Sequence, residues 1–145
     1  MPSVNGLLGR KVGMTSVFTA EGDAVPVTVV ECGPCCVVQR KTTEKDGYEG
    51  VQLGYMEKKT PRKDNKVTRG DNGHRGRGEA SKPSRGHFEK NGGAAPTRVL
   101  AEFRLDGEGD EPEAGSTLTL EGFFAAGDKV KVRGVSKGRG FAGVI

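Results

Sequence analysis

Apolar side chains in this chain recur at every second position, in runs of five to nine residues, and not at the three-to-four spacing of a long amphipathic helix. The runs cover residues 15–19, 24–31, 36–41, 50–55, 97–105, 116–120 and 129–133, and are rich in Val, Thr and aromatics. A period of two puts alternate side chains on opposite faces of a strand, so the chain must build sheets. Turn signals separate the runs: Glu21-Gly22-Asp23, Cys32-Gly33-Pro34, Lys45-Asp46-Gly47, residues 107–115 and Ala126-Gly127-Asp128. Asp46-Gly47, between two strand-like runs, predicts a hairpin turn, because Gly tolerates positive φ. A helix is expected only over residues 86–91, for about one turn. No repeat of 20–50 residues is visible. Many short strands at this spacing predict an all-β fold, a small barrel or sandwich.

Composition narrows this further. Glycine supplies 24 of 145 residues, about 17% against a usual value of roughly 7%. With seven prolines the share is about 21%, below the roughly 25–30% of a wholly disordered chain. Trp is absent and aromatics are few, so the core must be built from Val and Leu. One domain is expected over residues 1–145. No apolar run approaches the ~18 residues of a membrane span, and no secretory signal is legible, so a soluble chain without membrane contact is expected. Three cysteines, an odd number, argue against a disulfide framework and for a reducing compartment.

The charge is segregated. Residues 1–56 carry five basic and six acidic side chains, and residues 91–145 carry seven and eight. Residues 57–90 carry eleven and five, so the whole excess of the +4 chain sits there. That stretch has almost no apolar residues, so it is expected to be an inserted loop or arm that orders on a polyanion. Arg75-Gly76-Arg77-Gly78 suits phosphate, with glycine allowing close backbone approach and arginine donating a planar fork.

A second cationic stretch has different geometry. Lys129, Lys131 and Arg133 alternate with Val130 and Val132, which predicts a strand with one cationic and one apolar face. It runs into Ser136-Lys137-Gly138-Arg139-Gly140, where backbone amides and two cations suit phosphate oxygens. On a strand, that geometry would be set before binding. The GxxxxGK[ST] spacing of a nucleotide-binding loop is missing, as is any GxGxxG between strand and helix.

Cys32-Gly33-Pro34-Cys35-Cys36 resembles a redox or zinc motif only superficially. Val37 and Val38 follow, so the context is a strand rather than the helix N-terminus that activates a thiol. His74 and His87 have no metal-ligand spacing relative to it. Structural thiols at a strand–turn–strand corner are expected, with no metal and no cofactor. No nucleophile elbow or credible general base is present, so no enzyme and no small-molecule substrate are expected.

Several segments together carry a resemblance. Gly9-Arg10-Lys11-Val12-Gly13-Met14-Thr15, Ala24-Val25-Pro26-Val27-Thr28-Val29, Gly33-Pro34-Cys35 and Glu44-Lys45-Asp46-Gly47-Tyr48 resemble the bacterial form of the universal large-subunit ribosomal protein L-three family. So do Val51-Gln52-Leu53-Gly54, Gly86-His87-Phe88, and Gly127-Asp128-Lys129-Val130 leading to Ser136-Lys137-Gly138-Arg139-Gly140-Phe141. The match is colinear over nearly all of residues 6–145. It implies a translation-protein-type β-barrel with a long extension, binding of large-subunit rRNA near its 3′ end, and a role early in subunit assembly. It also implies a loop sent toward the peptidyl transferase centre. Three departures are visible. An insertion within about residues 63–80 holds the Arg-Gly pairs. Ala142 stands where some relatives carry a modified glutamine. Family members also run well beyond the position of Ile145, so the barrel is expected to be incomplete in this chain.

The resemblance and the charge pattern together nominate the rRNA-binding residues. They are Arg10, Lys11, Lys58, Lys59, Arg62, Lys63, Arg75, Arg77, Lys82, Arg85, His87, Lys129, Lys131, Arg133, Ser136, Lys137 and Arg139. The basic arm spans 57–90, and residues 134–145 would begin an rRNA-reaching extension. The expected partners are large-subunit rRNA and neighbouring large-subunit proteins, on ribosomes in the cytoplasm. The alternative is a free-standing RNA chaperone or a translation-factor-like barrel.

Overall fold

The computed structural model describes residues 4–58, 80–105, 109, 111–141 and 143. The first two strands, β1 (Gly9–Phe18) and β2 (Ala24–Cys32), form an antiparallel hairpin of their own. Its turn is closed by the Thr19 N–H donating to the Asp23 carbonyl at 2.9 Å and the Gly22 N–H donating to the Thr19 carbonyl at 3.0 Å. Gly22 adopts φ +93°, the left-handed conformation that glycine takes without strain. The first strand starts earlier than its alternation predicts because residues 9–11 pair with residues 30–32 of β2.

The other strands are β3 (Cys35–Lys41), β4 (Gly50–Glu57), β5 (Thr97–Arg104) and β6 (Thr117–Leu118). They form one antiparallel sheet in the order β5-β4-β3-β6. Among the described residues, the two sheets do not close into a barrel. The architecture is all-β and barrel-like but incomplete.

Register decides which side chains enter the core. Val37 lies opposite Leu53, and Val51, Leu53 and Tyr55 lie opposite Phe103, Ala101 and Val99. Val37, Val51 and Leu53 are fully buried and pack with Cys35, Val4 and Tyr55. Burying each large aliphatic side chain here contributes about 1.5–3 kcal/mol relative to exposure. The intervening residues, Gln52 and Gly54 on β4 opposite Glu102 and Leu100 on β5, face the other side of the sheet. On that side a Cβ at Gly54 would sit 2.7 Å from Thr97 Oγ1 and 2.9 Å from Cys36 Sγ and Val38 Cγ2, so only glycine lets these layers close.

Two helices complete the described part, α1 (Thr43–Asp46) and α2 (Lys82–Asn91). The β3–β4 connection is the hairpin expected around Asp46-Gly47, with more in it than a tight turn. The strands pair as a hairpin, but a single helical turn joins them and Gly47 caps it at φ +79°. The helix predicted over 86–91 is longer. Ser81 caps it, accepting the Ser84 N–H at 3.4 Å, and Pro83 pre-sets φ in its first turn. Residues 80–90 are therefore ordered, whereas an arm over 57–90 was expected. Ala80 and Phe88 are buried there, where α2 lies against β3.

Further along, the strand predicted over 116–120 is only Thr117–Leu118, followed by a 3-10 turn at Leu120–Gly122. Residues 129–133 form no strand. Their alternation is real, but no described strand pairs with them, and Val130 and Val132 are exposed rather than forming a buried face. Alternation without a partner does not make a strand.

Candidate nucleic-acid interface

Arg10 and Lys11 sit exposed on β1, just before a bulge between Lys11 and Gly13, opposite Glu31 and Val30. Arg10 rims an open groove of about 520 Å³ that runs to Tyr55, Glu57 and Thr97. The Tyr55 hydroxyl donates to the Glu31 carbonyl at 3.2 Å, tying the four-stranded sheet to the hairpin. Burial raises the Tyr55 phenol above its ordinary range, with the Glu31 carboxylate adding to the effect. Met56, beside it, adopts φ +59°, a strained conformation for a side chain of this kind. The cation here is offset by Glu31 and Glu57, so this is a mixed-charge rim rather than a basic pocket.

Lys58 is held by its backbone, the N–H donating to the Pro96 carbonyl at 2.7 Å. Lys82 opens α2 and is exposed. Arg85 is half-buried, and its Nε is enclosed without a partner among the described residues. Lys59, Arg62, Lys63, Arg75 and Arg77 lie outside the described residues.

His87 is turned toward the sheet. Its Nε2 lies 2.8 Å from Gln52 Oε1, and Asn91 Nδ2 lies 3.3 Å from its Nδ1. An amide oxygen beside Nε2 and an amide nitrogen beside Nδ1 match a ring that donates from Nε2 and accepts at Nδ1. The chain of hydrogen bonds continues across the sheet. Gln52 Nε2 donates to Glu102 Oε1 at 3.3 Å, and the Tyr48 hydroxyl donates to Glu102 Oε2 at 2.7 Å. Lys41 Nζ lies 3.0 Å from Glu102 Oε1, while Lys41 and Arg104 stand 5.3 and 5.6 Å from the Tyr48 ring centroid. The Tyr48 hydroxyl, then Lys41, hold the Glu102 carboxyl below its ordinary range, and Tyr48 and then Glu102 beside it hold Lys41 above its own. Sequence reading missed Lys41, Tyr48, Gln52, Asn91, Glu102 and Arg104. Their only signal is register, since Gln52 and Glu102 are cross-strand partners.

No family model matches the chain. Individual proteins do. The chain is 48% identical over 140 residues to the large ribosomal subunit protein uL3 of Heliobacterium modesticaldum, covering 97% of this chain and 57% of that protein. It is 48% identical over 139 residues to uL3 of Chlorobium phaeobacteroides, covering 96% and 57%. It is 45% identical over 140 residues to uL3 of Syntrophotalea carbinolica, covering 97% and 58%. The chain belongs to the uL3 family. It spans somewhat more than half the length of the curated uL3 proteins it matches.

Set on the fold, the uL3-like motifs fall on the hairpin, on β3 and β4, on α2 and on the segment after the 3-10 turn. In that last segment Lys129, Lys131, Arg133, Ser136, Lys137 and Arg139 are all exposed. Ala125 N–H donates to Asp128 Oδ2 at 2.7 Å, forming the turn that leads into it. These cations follow a backbone without strand pairing, so the expectation that a strand sets their geometry before binding is corrected. The cysteines match their structural expectation. All three are free thiols; Cys35 is fully buried and donates to the Leu8 carbonyl at 3.5 Å. Burial pushes the Cys35 and Cys36 thiols above their ordinary values, away from reactive thiolate. Among the described residues no helix is long and apolar enough to cross a membrane.

Proposed function

We propose that this chain is a structural constituent of the large ribosomal subunit, binding large-subunit rRNA near its 3′ end and helping to nucleate subunit assembly. It works on ribosomes in the cytoplasm, beside neighbouring large-subunit proteins, and catalyses no reaction. The observation that carries this reading is 45–48% identity to uL3 proteins over nearly the whole chain. The charge pattern supports it independently, because the whole cationic excess lies between residues 57 and 90. Exposed Lys and Arg neutralise phosphates and release counterions, and glycine-rich turns let the backbone approach the RNA. A-form RNA presents its backbone and shallow minor groove, so shape and 2′-hydroxyl contacts outnumber base-edge contacts.

The test is sedimentation of the tagged chain from a bacterial lysate through a sucrose gradient. It is expected with large subunits and their precursors, and to be released by salt. A position at the top of the gradient at low salt would instead favour a free-standing RNA chaperone.

A further inference from the structure

We propose that His87 and Gln52 are positioning residues for RNA binding, setting the roll of α2 on the sheet and so the direction in which its lysines face. This rests on the rRNA-binding reading above. Phe88 is the one buried side chain of α2, at 1% exposure. Phe88 fixes where the helix touches the sheet, and Arg85, half-buried with its Nε enclosed, adds packing but no hydrogen bond at that atom among the described residues. Fixing the roll requires a second contact off the axis. His87 supplies it: adjacent residues of a helix project about 100° apart, and its ring stands at 83° to the Phe88 ring with centroids 5.7 Å apart. From its own face of the helix, Nε2 reaches Gln52 at 2.8 Å.

Gln52 is itself immobilised. Its amide donates to Glu102 on the next strand, and Glu102 is held by Tyr48 and Lys41. Asn91 closes the other side of the ring, donating to both the His87 carbonyl at 2.8 Å and Nδ1 at 3.3 Å. Both ring nitrogens are thus committed within the protein, so His87 acts on RNA through α2 rather than by contact. The exposed cations that this orients are Lys82 and Lys90, at opposite ends of the helix. Preorganised cations lose less freedom on binding, which is where the affinity is gained.

The experiment measures binding of the 145-residue chain to an in vitro transcript of bacterial large-subunit rRNA across a salt series. The variants are His87→Ala, Gln52→Ala, His87→Gln, the Ala pair combined, and Lys82→Ala. His87→Ala and Gln52→Ala should each weaken binding by roughly three- to ten-fold, and the double variant no further, because both break one contact. The slope of log K against log salt should stay unchanged in them, whereas Lys82→Ala should flatten it by roughly 0.7–0.9. His87→Gln places an amide N–H near the Nε2 position and should recover most of the affinity. An unchanged affinity in Gln52→Ala, a flattened slope in His87→Ala, or no recovery in His87→Gln overturns the inference. Gln52→Ala changes only the sheet side of the contact, so it decides the matter even if His87→Ala fails to fold. No binding by the unaltered chain overturns the rRNA reading itself, and this inference with it.

Discussion

The β1–β2 hairpin and the β3–β4–β5 sheet are written in the same alphabet and end up in opposite environments. Both alternate Val with small or polar residues, and both pair antiparallel with long register. In the sheet, Val37, Val51 and Leu53 are fully buried. In the hairpin, Val17, Val25 and Val29 share one face by register and remain about half exposed, and Phe18 on the opposite face is 74% exposed. Alternation therefore specifies that a strand has an apolar face, not that anything covers it. What covers the sheet is concrete: the segment from Val4 to Leu8 and Phe123 on one side, Phe88 of α2 on the other.

The largest contrast should come from truncating one buried and one exposed aliphatic residue. Leu53→Ala is expected to cost about 2–5 kcal/mol, from lost transfer energy plus the cavity left behind. Val29→Ala, on the open hairpin face, is expected to stay within about 0.5 kcal/mol. Urea melts of the two variants of the 145-residue chain check this. Equal losses would mean that the hairpin face is covered in solution.

A smaller effect tests spacing rather than burial. Gly54→Ala forces a Cβ against Thr97, Cys36 and Val38 and is expected to cost about 1–3 kcal/mol. Gly13→Ala on β1, where a Cβ meets nothing within 4 Å, should be near neutral. Midpoints from the same melts decide between them, and a neutral Gly54→Ala would show that the sheet side can give way.

The smallest effect is electrostatic and confined to the sheet. The Glu102 carboxyl is lowered by Tyr48 and then Lys41, so the folded state binds its proton less readily than the unfolded chain. Its contribution is fully present above the ordinary glutamate value of about 4.3 and is lost as pH falls through the lowered folded value. Glu102 is partly exposed, so solvent screens most of this. Lys41 works in the opposite sense, its contribution present below the ordinary lysine value of about 10.4 and lost as pH rises through the raised one. Melts of wild type and Glu102→Gln between pH 6 and 3 should converge at the acid end. Parallel curves would sever the link between this carboxylate and acid stability.

What local chemistry alone settles in this chain is considerable. The strand runs at 24–31, 50–55 and 97–105 follow from alternation of β-branched residues with polar ones, and the observed bounds differ at their ends by one or two residues. Gly22 and Gly47 mark turns because few other residues adopt positive φ cheaply. The structural cysteines are legible because Val37 and Val38 follow them. Family membership is legible too, since it resides in colinear motifs that need no coordinates. Partnership is a different matter. Residues 129–133 alternate as well as any strand and form none, because no strand among the described residues pairs with them. The α2 helix reads as one turn, since its Ser81 cap and single Phe88 anchor mean little until a sheet lies beneath. His87 reads as an rRNA-binding residue, and its hydrogen bond to Gln52, thirty-five residues away in sequence, is not legible there. Backbone preference is a property of neighbours along the chain. Burial, pairing and hydrogen-bond partners are properties of neighbours in space, and only the folded structure assigns those.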